Sequence, residues 1–177
     1  PVSLTTDAAQ PTDLDNGITL REAILYVNGN EVPEGDQSRF DYANLGKNDT
    51  ILFDSNLDGE TIVLSAGQLE IKRTVTIDAT ALPNGITIDA DGGSRVFYID
   101  DPAGDANNIY NVTLAGLAIT GGKTQESGES GGGIYYLTFN SGTFFIYDST
   151  IEDNEASYQG GGICVYTCLG AESQFEF

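Results

Sequence analysis

The sequence predicts an all-β fold, a parallel β-helix (a solenoid) with a short N-terminal capping α-helix. Three observations carry this prediction. Short runs with an apolar period of two recur from Thr50 onward, a strand–turn–strand unit returns with the same Gly-Gly-Gly-Ile ending, and only one stretch has a helical period. An antiparallel sandwich also contains many short strands, but it does not explain why the same ending returns at the same place in each unit.

The helix is predicted over Thr19–Asn28. Thr19 and Glu22 have the spacing of a capping box, in which each side chain accepts a hydrogen bond from the other residue's backbone. One apolar stripe follows, made of Leu20, Ala23, Ile24 and Val27. Asn28-Gly29 supplies the end of the helix. A helix this short needs packing against another element, so we expect it to plug one end of the solenoid.

The chain divides into a predicted N-terminal cap, residues 1–49, and predicted coils, residues 50–177. The cap contains a strand, the helix and a long loop over residues 29–49, which is polar and rich in Gly, Asn, Asp and Pro. No second helical segment is apparent at the C-terminal end. We therefore expect that end to belong to an excised piece or to be covered by something else.

Internal repetition is the strongest feature of the coils. Residues 111–122 align with residues 143–154 at an offset of 32, and apolar positions coincide in the two segments. Each unit leads through a polar loop to Gly-Gly-Gly-Ile, at 131–134 and again at 160–163, with three residues fewer in the second loop. A more divergent copy is predicted over residues 74–96. Stacking such units buries a continuous apolar stripe.

The charge balance excludes several classes of partner. The chain has 27 Asp and Glu against 7 Lys and Arg, a net charge of −20, which argues against binding to nucleic acids or to anionic membranes. His is absent, and no apolar run is long enough to span a membrane. Met is also absent, which indicates processing. Together with two sequons, at Asn48 and Asn111, these features predict a secreted or cell-surface protein with possible glycosylation at both asparagines.

One short segment matches the first half of a calcium loop. Asp54, Asn56 and Asp58 have the spacing of the first ligands, but Ser65 stands where the bidentate acid is expected. The same residues are typical of an ordinary turn. An ordinary turn is therefore the favoured interpretation, with a calcium site at these three residues as the alternative, and no other cofactor is predicted.

Catalytic residues are not predicted, and the chain is expected not to be an enzyme. A polysaccharide lyase or hydrolase would need carboxylates beside a cation. Arg21 belongs to the helix motif, Arg95 is expected at a corner, and Asp148 and Glu152 are acids that composition alone can bring together.

Two further groups of residues are candidates for cross-linking or contact. Cys164 and Cys168 can form a disulfide only if the chain turns between them, since four extended residues span about 13 Å. Aromatic residues are dense near the C-terminus, at Tyr135, Tyr136, Phe139, Phe144, Phe145, Tyr147, Tyr158 and Tyr166. Because side chains alternate between the two faces of a strand, some of these residues are expected in the core. The others can form a surface strip that binds carbohydrate or protein.

Several of these segments together resemble a known family. Thr19-Leu20-Arg21-Glu22-Ala23-Ile24 resembles the CSLREA motif, with Thr where that motif has Cys or Ser. The segments 51–64 and 94–99 look like the same family, and 151–154 followed by Gly-Gly-Gly-Ile is similar to the repeats of polymorphic outer-membrane adhesins. The resemblance covers roughly residues 17–167. It implies a right-handed parallel β-helix in a secreted or surface-anchored microbial protein.

The function expected from these observations is that of an extracellular structural or adhesive module. The absence of a C-terminal cap, together with the apolar Phe175 and Phe177, predicts stacking on further coils or on another subunit, building a filament or stalk. A surface polysaccharide or protein is a further expected partner. The alternatives are a polysaccharide lyase or hydrolase and a carbohydrate-binding β-helix.

Overall fold

The computed structural model describes residues 1–7, 17–32, 37, 45, 47–101, 110–139, 142–167 and 174–176. Within these ranges a single α-helix, α1 (Leu20–Val27), precedes the strands, and a 3-10 turn (Ser55–Leu57) follows the first of them. The strands are β1 (Asp49–Leu52), β2 (Thr61–Val63), β3 (Leu69–Ile71), β4 (Val75–Asp78), β5 (Ile86–Asp89), β6 (Phe97–Asp101), β7 (Asn111–Ala115), β8 (Leu117–Thr120), β9 (Ile134–Thr138), β10 (Thr143–Tyr147), β11 (Thr150–Ile151), β12 (Ile163–Thr167) and β13 (Gln174–Glu176).

Each strand pairs with the strand that comes three later in the chain, and these pairings form three parallel sheets. The first sheet has the order β1-β4-β7-β10-β13, the second sheet β2-β5-β8-β11, and the third sheet β3-β6-β9-β12. All of these pairings are parallel. The chain therefore visits the three sheets in turn, and each visit adds one strand. We call this arrangement the three-sheet stack.

The prediction of a right-handed parallel β-helix that closes as a solenoid is wrong. The strands form three separate stacked parallel sheets, an arrangement that is compatible with a β-helix but is not a closed solenoid. The physical reason is that ladder hydrogen bonds run only along the stack, so the core and the connecting segments alone join one sheet to the next. Those connections are also unequal: Gly116 alone separates β7 from β8, whereas residues 121–133 separate β8 from β9.

The predicted internal repeat is confirmed by the pairing register. Thr143 pairs with Asn111 in the first sheet, which is the predicted offset of 32. In the third sheet Ile163 pairs with Ile134, so the two Gly-Gly-Gly-Ile endings lie in adjacent layers and their loop differs by three residues. The divergent copy is also confirmed, because Val75 pairs with Val112.

The core is a set of columns in which alternate residues of each strand point inward. In the first sheet Ile77, Leu114 and Ile146 follow one another in register, and all three are buried. In the third sheet Phe97 and Ile134 are likewise neighbours and fully buried. Apolar side chains therefore pack layer upon layer, and their burial stabilises the stack.

The glycine triplets lie where two layers approach closely. Gly131 and Gly160, the first glycine of each triplet, both have a positive φ. The Gly133 amide donates to Gly161 O at 2.9 Å, and a Cβ built on Gly133 would lie 2.6 Å from Gly162 O. The triplets are therefore needed both for the turn and for the contact between layers.

The helix is confirmed, and it runs from Leu20 to Val27, one residue inside the predicted range at each end. Thr19 is the N-cap, and both hydrogen bonds of the capping box to Glu22 are present. At the other end the amide of Gly29 donates to Tyr26 O and the amide of Asn30 to Leu25 O, the pattern of a Schellman motif. The helix packs against β1 and β3, so it lies at the end of the stack where the first strands are.

The predicted boundary between cap and coils falls within one residue of the start of β1. The cap is nevertheless part of the same core, because Val2 and Ile18 are buried in one cluster with Ile51 and Phe53. Most of the predicted loop over residues 29–49 lies outside the described residues.

Replacing Gly116 by Ala is expected to lower the free energy of unfolding by about 3 kcal/mol, since a left-handed backbone and a steric clash combine. Gly116 has a φ of +70°, and its Cβ would lie 2.7 Å from Thr80 N. Gly67→Ala is the matched control: Gly67 has a φ of +81° but no atom within 4 Å of its Cβ. That control should lose only about 1 kcal/mol in urea unfolding. Equal losses in the two variants would contradict the steric account.

Candidate functional site

The first sheet is closed at its N-terminal end by the start of the chain. The Val2 amide donates to Leu52 O at 2.7 Å, and the Asp54 amide donates to Val2 O at 2.8 Å. Val2 itself is fully buried. An edge strand presents unpaired backbone groups that can recruit another chain. Val2 supplies partners to β1 and so protects this edge.

A buried ion pair closes the corner between β2 and β3. Arg21 Nε lies 2.5 Å from Asp7 Oδ1, and the two side chains are 10% and 1% exposed. The guanidinium also donates to the carbonyls of Gly67 and Gln68. The amides of residues 65 and 66 donate to Asp7 Oδ2 at 2.8 and 2.9 Å. Each charge is thus hydrogen-bonded to backbone as well as paired, as a buried ion pair requires.

The third sheet is closed at the same end by the side chain of Asn28, the C-cap of α1. Asn28 Nδ2 donates to Glu70 O at 2.7 Å, and the Lys72 amide donates to Asn28 Oδ1 at 2.9 Å. One amide side chain therefore satisfies a carbonyl and an N–H on β3 and the residue after it, as a neighbouring strand would. The helix ends beside the sheet edge that it protects.

The opposite end of the stack is uncovered in the part of the chain that is described. No described strand lies beyond β11 in the second sheet or beyond β12 in the third. The inward residues of the last layer are only partly buried: Ile151, Ile163, Val165 and Phe175. Their counterparts one layer earlier, Ile119, Ile134, Tyr136 and Phe144, are fully buried. We call this surface the uncovered end.

An arginine and two tyrosines form a cluster on the outer face of the third sheet. Tyr98 and Tyr135 are register neighbours, and their rings stack with centroids 5.7 Å apart and planes 5° from parallel. The Arg95 guanidinium carbon lies 5.5 and 5.4 Å from the two ring centroids. Arg95 also donates to Gln68 Oε1 at 2.7 Å and to the carbonyls of residues 130 and 131. It therefore joins three layers of the stack.

The surroundings of this cluster raise the pKa of both tyrosines. Partial burial is the main cause for Tyr98, and the nearby Asp100 carboxylate adds to it. Partial burial is also the main cause for Tyr135, followed by Cys164 on the next strand. Both phenols are therefore held in the neutral form to a higher pH than an exposed tyrosine.

A groove of about 410 Å³ lies between α1 and β3, beside this cluster. Its rim carries an exposed ion pair, in which Lys72 Nζ lies 2.6 Å from Glu70 Oε2. The hydrogen bond from Lys72 lowers the pKa of the Glu70 carboxyl, and the Glu70 carboxylate raises the pKa of Lys72. The groove is also lined by Arg21, Gly67 and Gln68, and the Arg21 guanidinium donates to the carbonyls of the other two.

The three residues of the candidate calcium loop are used in turn contacts. Asp54 Oδ1 accepts the Asn56 amide at 3.0 Å, and Asn56 Nδ2 donates to Ser3 O. Asp58 accepts the amide and the side chain of Asn84, both at 2.7 Å. Within the described ranges, no group of three His, Cys, Asp or Glu side chains is arranged to hold a metal ion. These contacts are those of an ordinary turn.

The residues considered for catalysis do not form one cluster of free groups. Arg21 and Arg95 are both committed to backbone carbonyls and side chains, as described above. Asp148 and Glu152 are exposed, and Asp148 has a positive φ in the turn after β10. Both arginines therefore already have structural partners.

The modification candidates lie at the surface where the structure describes them. Asn48 and Asn111 are exposed, and Asn111 Oδ1 accepts the amide and the hydroxyl of Thr143. Cys164 is on the outer face of β12 and partly exposed. Cys168 lies outside the described residues, so the disulfide stays a prediction.

The predicted aromatic strip divides between core and surface. Tyr136 and Phe144 are buried and stack at 5.0 Å. The exposed members are Phe139, Tyr147, Tyr158 and Tyr166. Sequence reasoning missed Tyr98, which lies between the buried Phe97 and Ile99 on β6 and therefore points outward. It also missed Asp7 and Asn28, whose backbone-pairing roles have no motif in the sequence.

The chain matches no family model, no curated protein and no solved structure. The likeness of Thr19–Ile24 to the CSLREA motif therefore stays a prediction. No helix in the described ranges has both the length and the apolar character needed to cross a bilayer.

Arg21→Met is expected to lower the free energy of unfolding by about 3–5 kcal/mol, because it leaves the Asp7 carboxylate buried without its cation. Lys123→Met is the control, since Lys123 forms an exposed pair with Glu155 and should change stability by less than about 1 kcal/mol. Urea unfolding of the three proteins measures both values. A loss below about 1 kcal/mol for Arg21→Met would refute the structural role of the pair.

The two stacked tyrosines predict a loss of stability at alkaline pH. Their pKa is higher in the folded than in the unfolded chain, so their contribution is complete below the ordinary value of 10.0 and is lost as pH rises through the folded pKa. The double variant Tyr98→Phe, Tyr135→Phe should therefore lose less stability between about pH 9 and 11. Tyr158→Phe, at a 67% exposed position, should keep the wild-type slope of Tm against pH. An unchanged slope in the double variant would contradict the assignment.

Proposed function

We propose that this chain is an extracellular structural or adhesive module, and that its uncovered end joins a second copy of the same chain. One observation carries the proposal. At the N-terminal end Val2, the Arg21–Asp7 pair and Asn28 give partners to exposed backbone groups. At the other end, core residues of the last layer, such as Ile163 and Val165, stay partly exposed.

The chemistry of the uncovered end favours strand addition. Its inward side chains are apolar and stand in the same columns as the buried side chains of the earlier strands. In addition, β12 presents the backbone of a five-residue edge strand. A partner that adds a layer would cover both the apolar groups and the edge.

The closed N-terminal end determines how two copies can meet. Val2 already occupies the edge of β1, and α1 packs against β1 and β3, so a second copy finds the edges of these two strands already occupied. The remaining arrangement joins two uncovered ends about a two-fold axis, with the same residues contributed by each copy. In such a pair α1 and the closed end lie on each outer side.

The extracellular placement rests on composition and on the sequons. The net charge of −20 keeps the module soluble and repels anionic polymers. Asn48 and Asn111 are both exposed, as acceptors of glycans must be. The commitment of Arg21 and Arg95 to structural bonds supports a role that is not catalytic.

Sedimentation equilibrium of the wild-type chain tests the pairing. We expect twice the chain mass by about 0.1 mM, and Val165→Glu should weaken the association at least about tenfold by placing a charge in the apolar interface. Val63→Glu is the matched control, because Val63 is 45% exposed on an outer face at the closed end. Circular dichroism checks that both variants are folded.

A second measurement needs no variant. Amides of β12 should exchange more slowly with deuterium as the concentration rises, whereas amides of β2 should not change. A wild-type chain that keeps the mass of one copy throughout, or equal effects of Val165→Glu and Val63→Glu, would overturn the pairing.

A further inference from the structure

The outer face of the first sheet carries a column of mixed hydroxyl, aromatic and acidic side chains. Register places five outward residues side by side across adjacent strands: Thr50, Thr76, Thr113, Phe145 and Glu176. The alternate residues of the same strands, such as Ile77 and Leu114, are buried, so the column faces away from the core. Successive members are about 4.8 Å apart, which is the spacing of neighbouring strands.

Polar and aromatic residues flank this column on both sides. On one side lie Asn111, Thr143 and Gln174, where the Thr143 hydroxyl donates to Asn111 Oδ1 at 2.7 Å. On the other side Tyr147 is 46% exposed. Phe145 and Tyr147 are two apart on β10, so both rings lie on the outer face.

A groove of about 460 Å³ runs over the centre of this face. It is lined by Thr76, Thr113, Phe145, Ile146, Tyr147 and Glu176. Aromatic rings, hydroxyls that can donate and accept, and one carboxylate thus converge on the same open space. Phe145 is half-buried and Tyr147 is exposed, so both rings present part of their surface to the groove.

We propose that this face binds an uncharged polysaccharide. The rings of Phe145 and Tyr147 offer flat apolar surfaces to the C–H faces of sugar rings. The hydroxyls of Thr76 and Thr113 and the carboxylate of Glu176 can hydrogen-bond to sugar hydroxyls along the chain. An open, regularly spaced groove suits an extended polymer better than an enclosed small molecule.

Charge selects an uncharged polymer over an acidic one. Neither Lys nor Arg occurs in the column or in its flanks, where Asp78 and Glu176 are the acids. Together with the net charge of −20, this face repels polyanions. The proposal supplies a ligand for the adhesive role and in that respect rests on it, but it does not depend on pairing through the uncovered end.

Affinity electrophoresis in native gels tests the proposal, using mixed-linkage β-glucan, xyloglucan and galactomannan as uncharged probes and polygalacturonate as the acidic one. We expect at least one uncharged polymer to retard the wild-type chain. Phe145→Ala and Tyr147→Ala should each raise the apparent Kd about fivefold or more, in the range of an aromatic contact. The double variant Thr76→Val, Thr113→Val removes two hydroxyls, keeps β-branched side chains and should also weaken binding.

Tyr158→Ala and Tyr166→Ala are the controls, since both tyrosines are exposed but lie on other surfaces. Both should keep wild-type retardation, and circular dichroism should show the same fold for every variant. The proposal would be overturned if none of the uncharged polymers retarded the wild-type chain, or if only polygalacturonate did. It would also be overturned if Phe145→Ala and Tyr166→Ala were retarded equally. Repeating the gels with Val165→Glu separates the two proposals, because loss of pairing should leave polysaccharide binding unchanged.

Discussion

The three-sheet stack depends on one requirement: every backbone group on a strand edge needs a partner. Parallel pairing satisfies this requirement along the stack, because each strand forms backbone hydrogen bonds with the next strand in its sheet. At the two ends of the stack the last strand of each sheet has no further strand to pair with, so its backbone groups need other partners. At the N-terminal end the chain meets this need with three different chemical groups, namely the backbone of Val2, the Arg21–Asp7 ion pair and the amide of Asn28. Among the described residues, the opposite end presents the last strands of the second and third sheets without such groups.

In-register pairing also explains how so acidic a chain is accommodated. Many of the carboxylates lie where strands end and accept amides that have no ladder partner. Asp54 accepts the amide of Asn56, Asp78 that of Thr80, and Asp89 that of Asp91, each two residues further along the chain. This local bond fixes the turn and shares the negative charge with the backbone. The acids therefore determine where strands stop, while the apolar columns determine how strands stack.

The sequence was sufficient for the helix, the repeat and most strands, because each has a short-range signal. The capping box of Thr19 and Glu22, the alternation of the strands and the return of Gly-Gly-Gly-Ile are all local patterns. The separation into three sheets was not predictable, since it depends on connections whose lengths differ from layer to layer. The partners of Arg21 and Arg95 were also missed, because Asp7 and Tyr135 are too far from these arginines in the chain to form a local pattern with them.

The connection between the second and third sheets differs in length between adjacent layers, yet the strands on either side keep their register. Ala118 pairs with Thr150 and Ile134 with Ile163, so the three additional residues in the earlier connection are absorbed without displacing a strand. Residues can therefore be inserted or deleted at this bend without changing the pairing of the strands on either side. Such a bend is a natural place for lineages to diverge, and for engineers to graft a foreign epitope onto an unchanged scaffold.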